Sequence, residues 1–138
     1  MRYLGIDYGS KRVGLALSDE DGTMGFPHAT VANTPRLIDE LCALIAKENI
    51  GAAVIGESRN FHGEENPIAK DAGALGSLLA ERSGVPVFYE SETFTSVEAR
   101  RAPAKSEKTR SPKKHKNVDA SAASLILTGY LSRKSAIL

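Results

Sequence analysis

Apolar residues in this chain arrive in short runs whose period changes along its length. RYLGID (Arg2–Asp7) and RVGLALSD (Arg12–Asp19) are compact stretches of strand length separated only by Gly9–Lys11, and that spacing predicts a hairpin. DEDGTM is polar, carries a glycine and predicts a second turn. GFPHATV then reads as a third antiparallel strand, and Pro27 assigns it to an edge. From Thr34 or Pro35 to about Asn49 the period lengthens: Leu37, Ile38, Leu41, Leu44 and Ile45 fall on one helical face. Thr34 is the expected N-cap, with Pro35 at the first helical position.

GAAVIGES is a short continuous apolar run, the mark of a buried parallel strand. RNFHGEENP is a loop. Pro67 opens a helix that runs to about Ser83 and is stopped by Gly84. VPVFYES is another strand, and TSVEARRA begins a short helix that Pro103 stops. NVDASAASLILTGYLSR closes the chain as a helix, apolar on one side and rich in small residues on the other. There are no internal repeats. The order is three strands, helix, strand, helix, strand, helix, helix. An antiparallel meander followed by alternating units predicts an α/β fold: a mixed sheet flanked by helices.

The chain has 138 residues, which predicts a single domain spanning 1–138 with a core large enough to need no staples. No apolar run is long enough for a membrane span. Strand-like sequence starts at once, with no basic segment leading into an apolar one, so export is not expected. The lone cysteine, Cys42, lies within the first helical pattern and reads as a small buried hydrophobe. A reducing, cytoplasmic setting fits.

Charge adds something that hydropathy does not show. The net charge is +1, yet Arg100–Lys116 (RRAPAKSEKTRSPKKHK) holds eight of the 18 Lys/Arg and one of the 17 acidic residues. About +7 is concentrated in one short segment, and about −6 is spread over the rest. Such a segment suits an anionic partner, and equally a solvated basic loop.

Three acids sit where elements begin or end. Asp7 ends the first strand, Glu92 follows the last strand, and Asp119 begins the last helix. The first strand is expected at the centre of the sheet, because it must pair with its hairpin partner and with the first parallel strand. Parallel neighbours share one C-terminal edge, where α/β proteins place their sites. Carboxylates meeting there would repel one another, and a divalent cation would relieve the repulsion. Oxygen ligands with room for water suit Mg²⁺ or Mn²⁺, and two such ions can hydrolyse a phosphodiester. The plainer alternatives are that Asp119 caps its helix and Glu92 is an exposed loop acid. Asp7 is harder to explain away, since burying a charge among apolar residues is costly.

The stretches GIDYGSKRVGLALSD, VIGESRNFHGEENP, SETFTSVEAR and NVDASAASLIL resemble, in order and spacing, the motifs of the YqgF (RuvX) family over nearly the whole chain. These are bacterial RNase H-like proteins described as Holliday-junction resolvases and as nucleases maturing the 5′ end of pre-16S ribosomal RNA. The resemblance implies a five-stranded mixed sheet with helices on both faces. It also implies that Asp7, Glu92 and Asp119 are the catalytic, metal-holding acids. Two departures stand out. Members usually carry Gly-Leu-Pro after the fourth strand, where this chain has Gly56, Glu57 and Ser58. Members usually carry Asp-Glu-Arg where this chain has Ser91, Glu92 and Thr93, so an arginine is missing. Glu57 reads as a solvent-facing substitution, the alternative being a fourth acid near the site. Glu90 competes with Glu92, because alternate strand residues share a face, but VEAR sets the register in favour of Glu92.

Gly9 is expected to permit the tight turn after Asp7. Lys11 and Arg12 can reach a phosphate there, or simply make a charged turn. Asn60 resembles part of the family's loop beside the site. Arg100, Arg110, Lys113, Lys114 and Lys116 are the expected backbone contacts to nucleic acid. His62 and His115 lack metal-ligand spacing and read as exposed loop residues. The leading expectation is a Mg²⁺- or Mn²⁺-dependent endonuclease acting on pre-rRNA, as a monomer or homodimer. Junction cleavage in branched DNA is second, and a non-catalytic nucleic-acid-binding protein is third. DYGS also resembles a phosphate-binding hairpin of ATP-dependent phosphotransferases, but those need two such domains and this length supplies one.

Overall fold

The computed structural model describes residues 1–57, 67–91 and 119–137. In chain order they form β1 (Arg2–Tyr8), β2 (Arg12–Ser18), β3 (Gly25–Ala32), α1 (Leu37–Lys47), β4 (Ile50–Glu57), α2 (Pro67–Ser83), β5 (Val87–Ser91) and α3 (Ala120–Ile137). The strands make one five-stranded mixed sheet in the order β3-β2-β1-β4-β5. β1 is central, antiparallel to β2 and parallel to β4. β3 is an edge strand, which accommodates Pro27. The short helix expected from TSVEARRA lies outside the described residues.

Alternation along β1 divides the core. Leu4 and Ile6 point to one face, where they pack with Val13, Leu15, Ile55, Leu37 and Leu41 of α1 and Leu79 of α2. Tyr3 points to the other, with Ala16, Ala52, Val54 and the α3 residues Ala123, Ile126, Leu127 and Leu131. Helices therefore cover both faces, two on one and α3 on the other. The α3 face carries small residues, and this lets the helix come close. A Cβ on Gly5 would lie 2.8 Å from Leu127 Cβ, and one on Gly25 would lie 3.0 Å from the same atom.

Helix ends follow local chemistry. Gly84 stops α2 in a left-handed conformation (φ 81°), and its N–H donates to the Ala80 carbonyl at 3.0 Å. Thr34 does not cap α1 as expected. Its carbonyl accepts from Leu37 N at 2.9 Å and its hydroxyl accepts from Arg36 N at 3.2 Å. Pro35 thus occupies the second position of a tight turn, the place its fixed φ suits, and the helix starts at Leu37 after it. Asn49 follows α1 in a left-handed conformation (φ 56°), which asparagine tolerates.

Candidate active site

Asp7 is the next-to-last residue of the central strand, and it is 1% exposed. Its parity is that of Tyr3 and Gly5, so its side chain faces α3. Directly opposite in the antiparallel ladder is Gly14 of β2. On the other side the parallel register runs Gly5–Val54 and Ile6–Ile55, so one further step brings Gly56 beside Asp7. Gly56 in turn pairs with Glu90 of β5. The row across this face therefore reads Gly14, Asp7, Gly56, Glu90.

Gly14 is what brings Asp119 in. A Cβ at that position would overlap the Asp119 carbonyl group and come 3.0 Å from its Cα. Cross-strand neighbours have Cα atoms roughly 5 Å apart, so the Cα atoms of Asp7 and Asp119 are separated by about 10 Å at most. Two acids distant by 112 residues thus have their backbones close together on the α3 face of the sheet. Asp119 also does the capping that its place suggests: its Oδ1 accepts from Ala122 N at 2.9 Å, and its carbonyl accepts from Ala123 N at 3.1 Å. Capping engages one carboxylate oxygen, so the two expectations for Asp119 do not exclude each other. Ala120 N donates to Thr30 Oγ1 of β3 at 3.1 Å, which ties the helix start to the sheet.

Among the described residues, no three His, Cys, Asp or Glu side chains gather into a group able to hold a metal. Glu92, the third expected acid, lies outside them. Its competitor Glu90 is buried on the α3 face, where Arg133 of α3 donates to its Oε2. That carboxylate is engaged by a guanidinium. Gly129 of α3 lies alongside: a Cβ there would be in ordinary contact, 3.5 Å from Glu90 Oε2.

Lys11 and Arg12 are both exposed, at the β1–β2 turn beside the Asp7 end of the sheet. This turn is held by Asn33, whose side-chain amide donates to the Gly9 carbonyl at 2.8 Å and whose N–H donates to the Lys11 carbonyl at 3.0 Å. Gly9 is not in a left-handed conformation; among the described residues the glycines that are so placed are Gly22 and Gly84. The brace from Asn33, rather than glycine's conformational freedom, accounts for the turn. Asn60, Arg100, Arg110, Lys113, Lys114 and Lys116 lie outside the described residues.

Sequence reasoning missed Gly14, Thr30, Asn33 and Arg133. Gly14 carried a signal, a glycine inside an apolar strand, which marks close approach of another backbone. The other three act over separations of 24 to 90 residues that no local pattern reveals.

The family model described as "RuvX: Holliday junction resolvase" matches residues 1–133. A protein of Oenococcus oeni named "Putative pre-16S rRNA nuclease" is 35% identical over 138 residues, covering 97% of this chain and 96% of its own. One of the same name from Clostridium botulinum is 34% identical, covering 98% and 99%. Among solved structures, Thermus thermophilus RuvC in complex with a Holliday junction substrate superposes with a TM-score of 0.62 at 18% identity, covering 98% of this chain and 96% of that one. The fowlpox virus Holliday junction resolvase gives 0.53 at 14%, covering 96% and 99%. These two show a shared fold, the RNase H-like sheet. With a family model spanning residues 1–133 and relatives matched nearly end to end, the chain belongs to the RuvX family.

Proposed function

We propose that this protein is a divalent-metal-dependent endonuclease that hydrolyses a phosphodiester bond in the 5′-end maturation of pre-16S rRNA, acting as one nuclease domain spanning 1–138. The observation that carries the proposal is the close approach of the Asp119 backbone to Gly14, directly opposite the buried carboxylate of Asp7 on the central strand. The names of the full-length relatives support the substrate. The setting would be the cytoplasm; no helix among the described residues is long and apolar enough to cross a membrane.

The donor set fits Mg²⁺ or Mn²⁺. Both acids offer only oxygen, and one of them is held rigidly in the sheet. Asp7, Asp119 and, from the family motif, Glu92 would hold the metal. When bound, the metal lowers the pKa of an attacking water and stabilises charge on the scissile phosphate. The protein's own contribution is placement. Asp7 is fixed in the antiparallel ladder opposite Gly14, and Asp119 is fixed by its helix start. Lys11 and Arg12 stand at the adjoining turn, where a phosphate backbone would pass. Asn60, Arg100, Arg110, Lys113, Lys114 and Lys116 are proposed to hold that backbone by charge.

The family model's description favours a second reading, cleavage of branched DNA at a four-way junction. A resolvase makes paired cuts and would act as a dimer; a monomer suffices for RNA processing. One assay separates the two: wild type and Asp7→Asn offered a pre-16S 5′ leader and a four-way DNA junction, with Mg²⁺, Mn²⁺ or EDTA. Metal-dependent cutting of the leader, lost in the variant, supports the proposal. Cutting of the junction alone transfers it to DNA. Binding without cutting under every condition overturns the enzymatic reading.

A further inference from the structure

The least explained group on the α3 face is Glu90, a buried carboxylate at the edge of the sheet. Its side chain is 6% exposed, and it takes a hydrogen bond from Arg133, which is half-exposed near the far end of α3. Burying this carboxylate against a guanidinium is not an evident route to stability. The loss of hydration generally cancels the attraction, and apolar residues of similar size would serve as well or better. What an ion pair supplies and an apolar contact does not is direction.

Direction is what α3 needs beyond its apolar stripe. Leu125 is 56% exposed while its neighbours Ile126 and Leu127 are buried, and small residues fill much of the remaining surface. Burial of the stripe Ala123, Ile126, Leu127 and Leu131 sets which face of α3 meets the sheet, but apolar contact alone does not fix the last few degrees of its roll. Directional contacts do. Two lie on the β3 side: Ala120 N to Thr30 Oγ1, and Gly25 N to Thr128 Oγ1 at 3.0 Å. Both would allow the helix to pivot about that side. On the opposite side Phe88 stacks on Tyr130 with ring centroids 5.7 Å apart, an arrangement that tolerates lateral offset. The Glu90–Arg133 bridge is a directional contact on the β5 side.

We infer that Glu90 and Arg133 are positioning residues for the site: by fixing how α3 rolls on the sheet, they aim the carboxylate of Asp119 at Asp7. The inference rests on the reading of Asp7 and Asp119 as metal-holding acids. It also separates Glu90 from the metal-binding acids, since its carboxylate is held by a guanidinium.

The test is the double variant Glu90→Leu/Arg133→Met, which replaces the bridge by apolar groups of similar size, together with Arg133→Lys. Four quantities are measured: melting temperature, Mn²⁺ affinity by calorimetry, RNA affinity in EDTA, and kcat with KM for cleavage. The double variant is expected to melt within about 5 °C of wild type. Its Mn²⁺ affinity and kcat should each fall about tenfold, as displacement of a positioned group by a fraction of an ångström does, with KM and RNA affinity in EDTA unchanged. Arg133→Lys should recover part of the loss. If the double variant fails to fold, Glu90→Gln, which keeps an acceptor for Arg133, should show a smaller loss in the same two quantities. Wild-type Mn²⁺ affinity and kcat in the folded variants would overturn the inference and leave the nuclease reading standing. A wild type that neither binds Mn²⁺ nor cleaves would overturn both.

Discussion

Gly14 surrenders its side-chain position to the backbone of Asp119, and Gly14 is the residue opposite Asp7 in the sheet. One missing methyl group therefore decides how closely the start of α3 approaches Asp7, on which the proposed site depends. Gly14→Ala should push the start of α3 away from β2. The overpacking is expected to cost about 1–3 kcal/mol of stability. Cleavage should fall by about two orders of magnitude even at temperatures where the variant is fully folded, because misplacing a positioned group by about 1 Å costs that much. Thermal melts alongside kcat measurements check both. Full activity in folded Gly14→Ala would mean that the close approach of Asp119 to Gly14 does not matter to the chemistry.

Asp7→Asn tests the other partner. The change is nearly isosteric, so it should leave the sheet intact while removing the proposed metal ligand and one negative charge. Cleavage should drop below detection, and nucleic-acid affinity in EDTA should hold or rise. Filter binding and a cleavage time course on the same preparation suffice. Unchanged turnover would exclude Asp7 from the site.

The contrast between Asp7 and Gly14 shows what a sequence can reveal. Asp7 was legible because it interrupts an apolar run at the end of a strand, and the strand order that makes β1 central followed from the alternation of elements. The span of α2, Pro67–Ser83, was legible because proline and Gly84 mark its ends. The end of the closing helix was less so: it starts next to Asp119 as expected but runs past Arg133 to Ile137, because no glycine or proline follows to mark an end. Glu90 was noticed as a rival to Glu92, but its partner is 43 residues away on a helix face. Pairings of this kind depend on how the helix lies on the sheet, which residue pattern alone does not specify.

The basic segment calls for a different measurement. Changing Lys113, Lys114 and Lys116 together to Gln should weaken nucleic-acid binding and reduce the slope of log K against log salt by about 0.7–0.9 for each phosphate that is no longer neutralised. The effect should be similar for different sequences, since phosphates carry no base identity. If the slope stays where it was, the backbone is held elsewhere, and the exposed Lys11 and Arg12 beside Asp7 become the next pair to neutralise.

The β2–β3 turn offers a check that involves no nucleic acid. Thr23 donates through its hydroxyl to Asp19 Oδ2 at 2.6 Å and through its N–H to Oδ1 at 2.8 Å, and Met24 N donates to Oδ1 at 3.1 Å. These bonds favour the charged carboxylate, the Thr23 hydroxyl most, and lower the Asp19 pKa from 3.8 to about 2. A carboxyl group whose pKa is depressed on folding contributes fully above its unfolded value, and the contribution is lost as pH falls through the folded value. The turn should therefore be intact at pH 5 and still largely intact at pH 3, opening only near pH 2. The Thr23 amide resonance, followed by NMR from pH 5 downward while folded signals persist, reports this directly. At pH 3 it should remain near its pH 5 position, where an ordinary aspartate would already have moved it most of the way. A midpoint near 3.8 would mean that the three bonds to Asp19 do not persist in solution. Asp19→Ala should remove the transition without affecting Asp7, which lies at the opposite end of the β1–β2 hairpin.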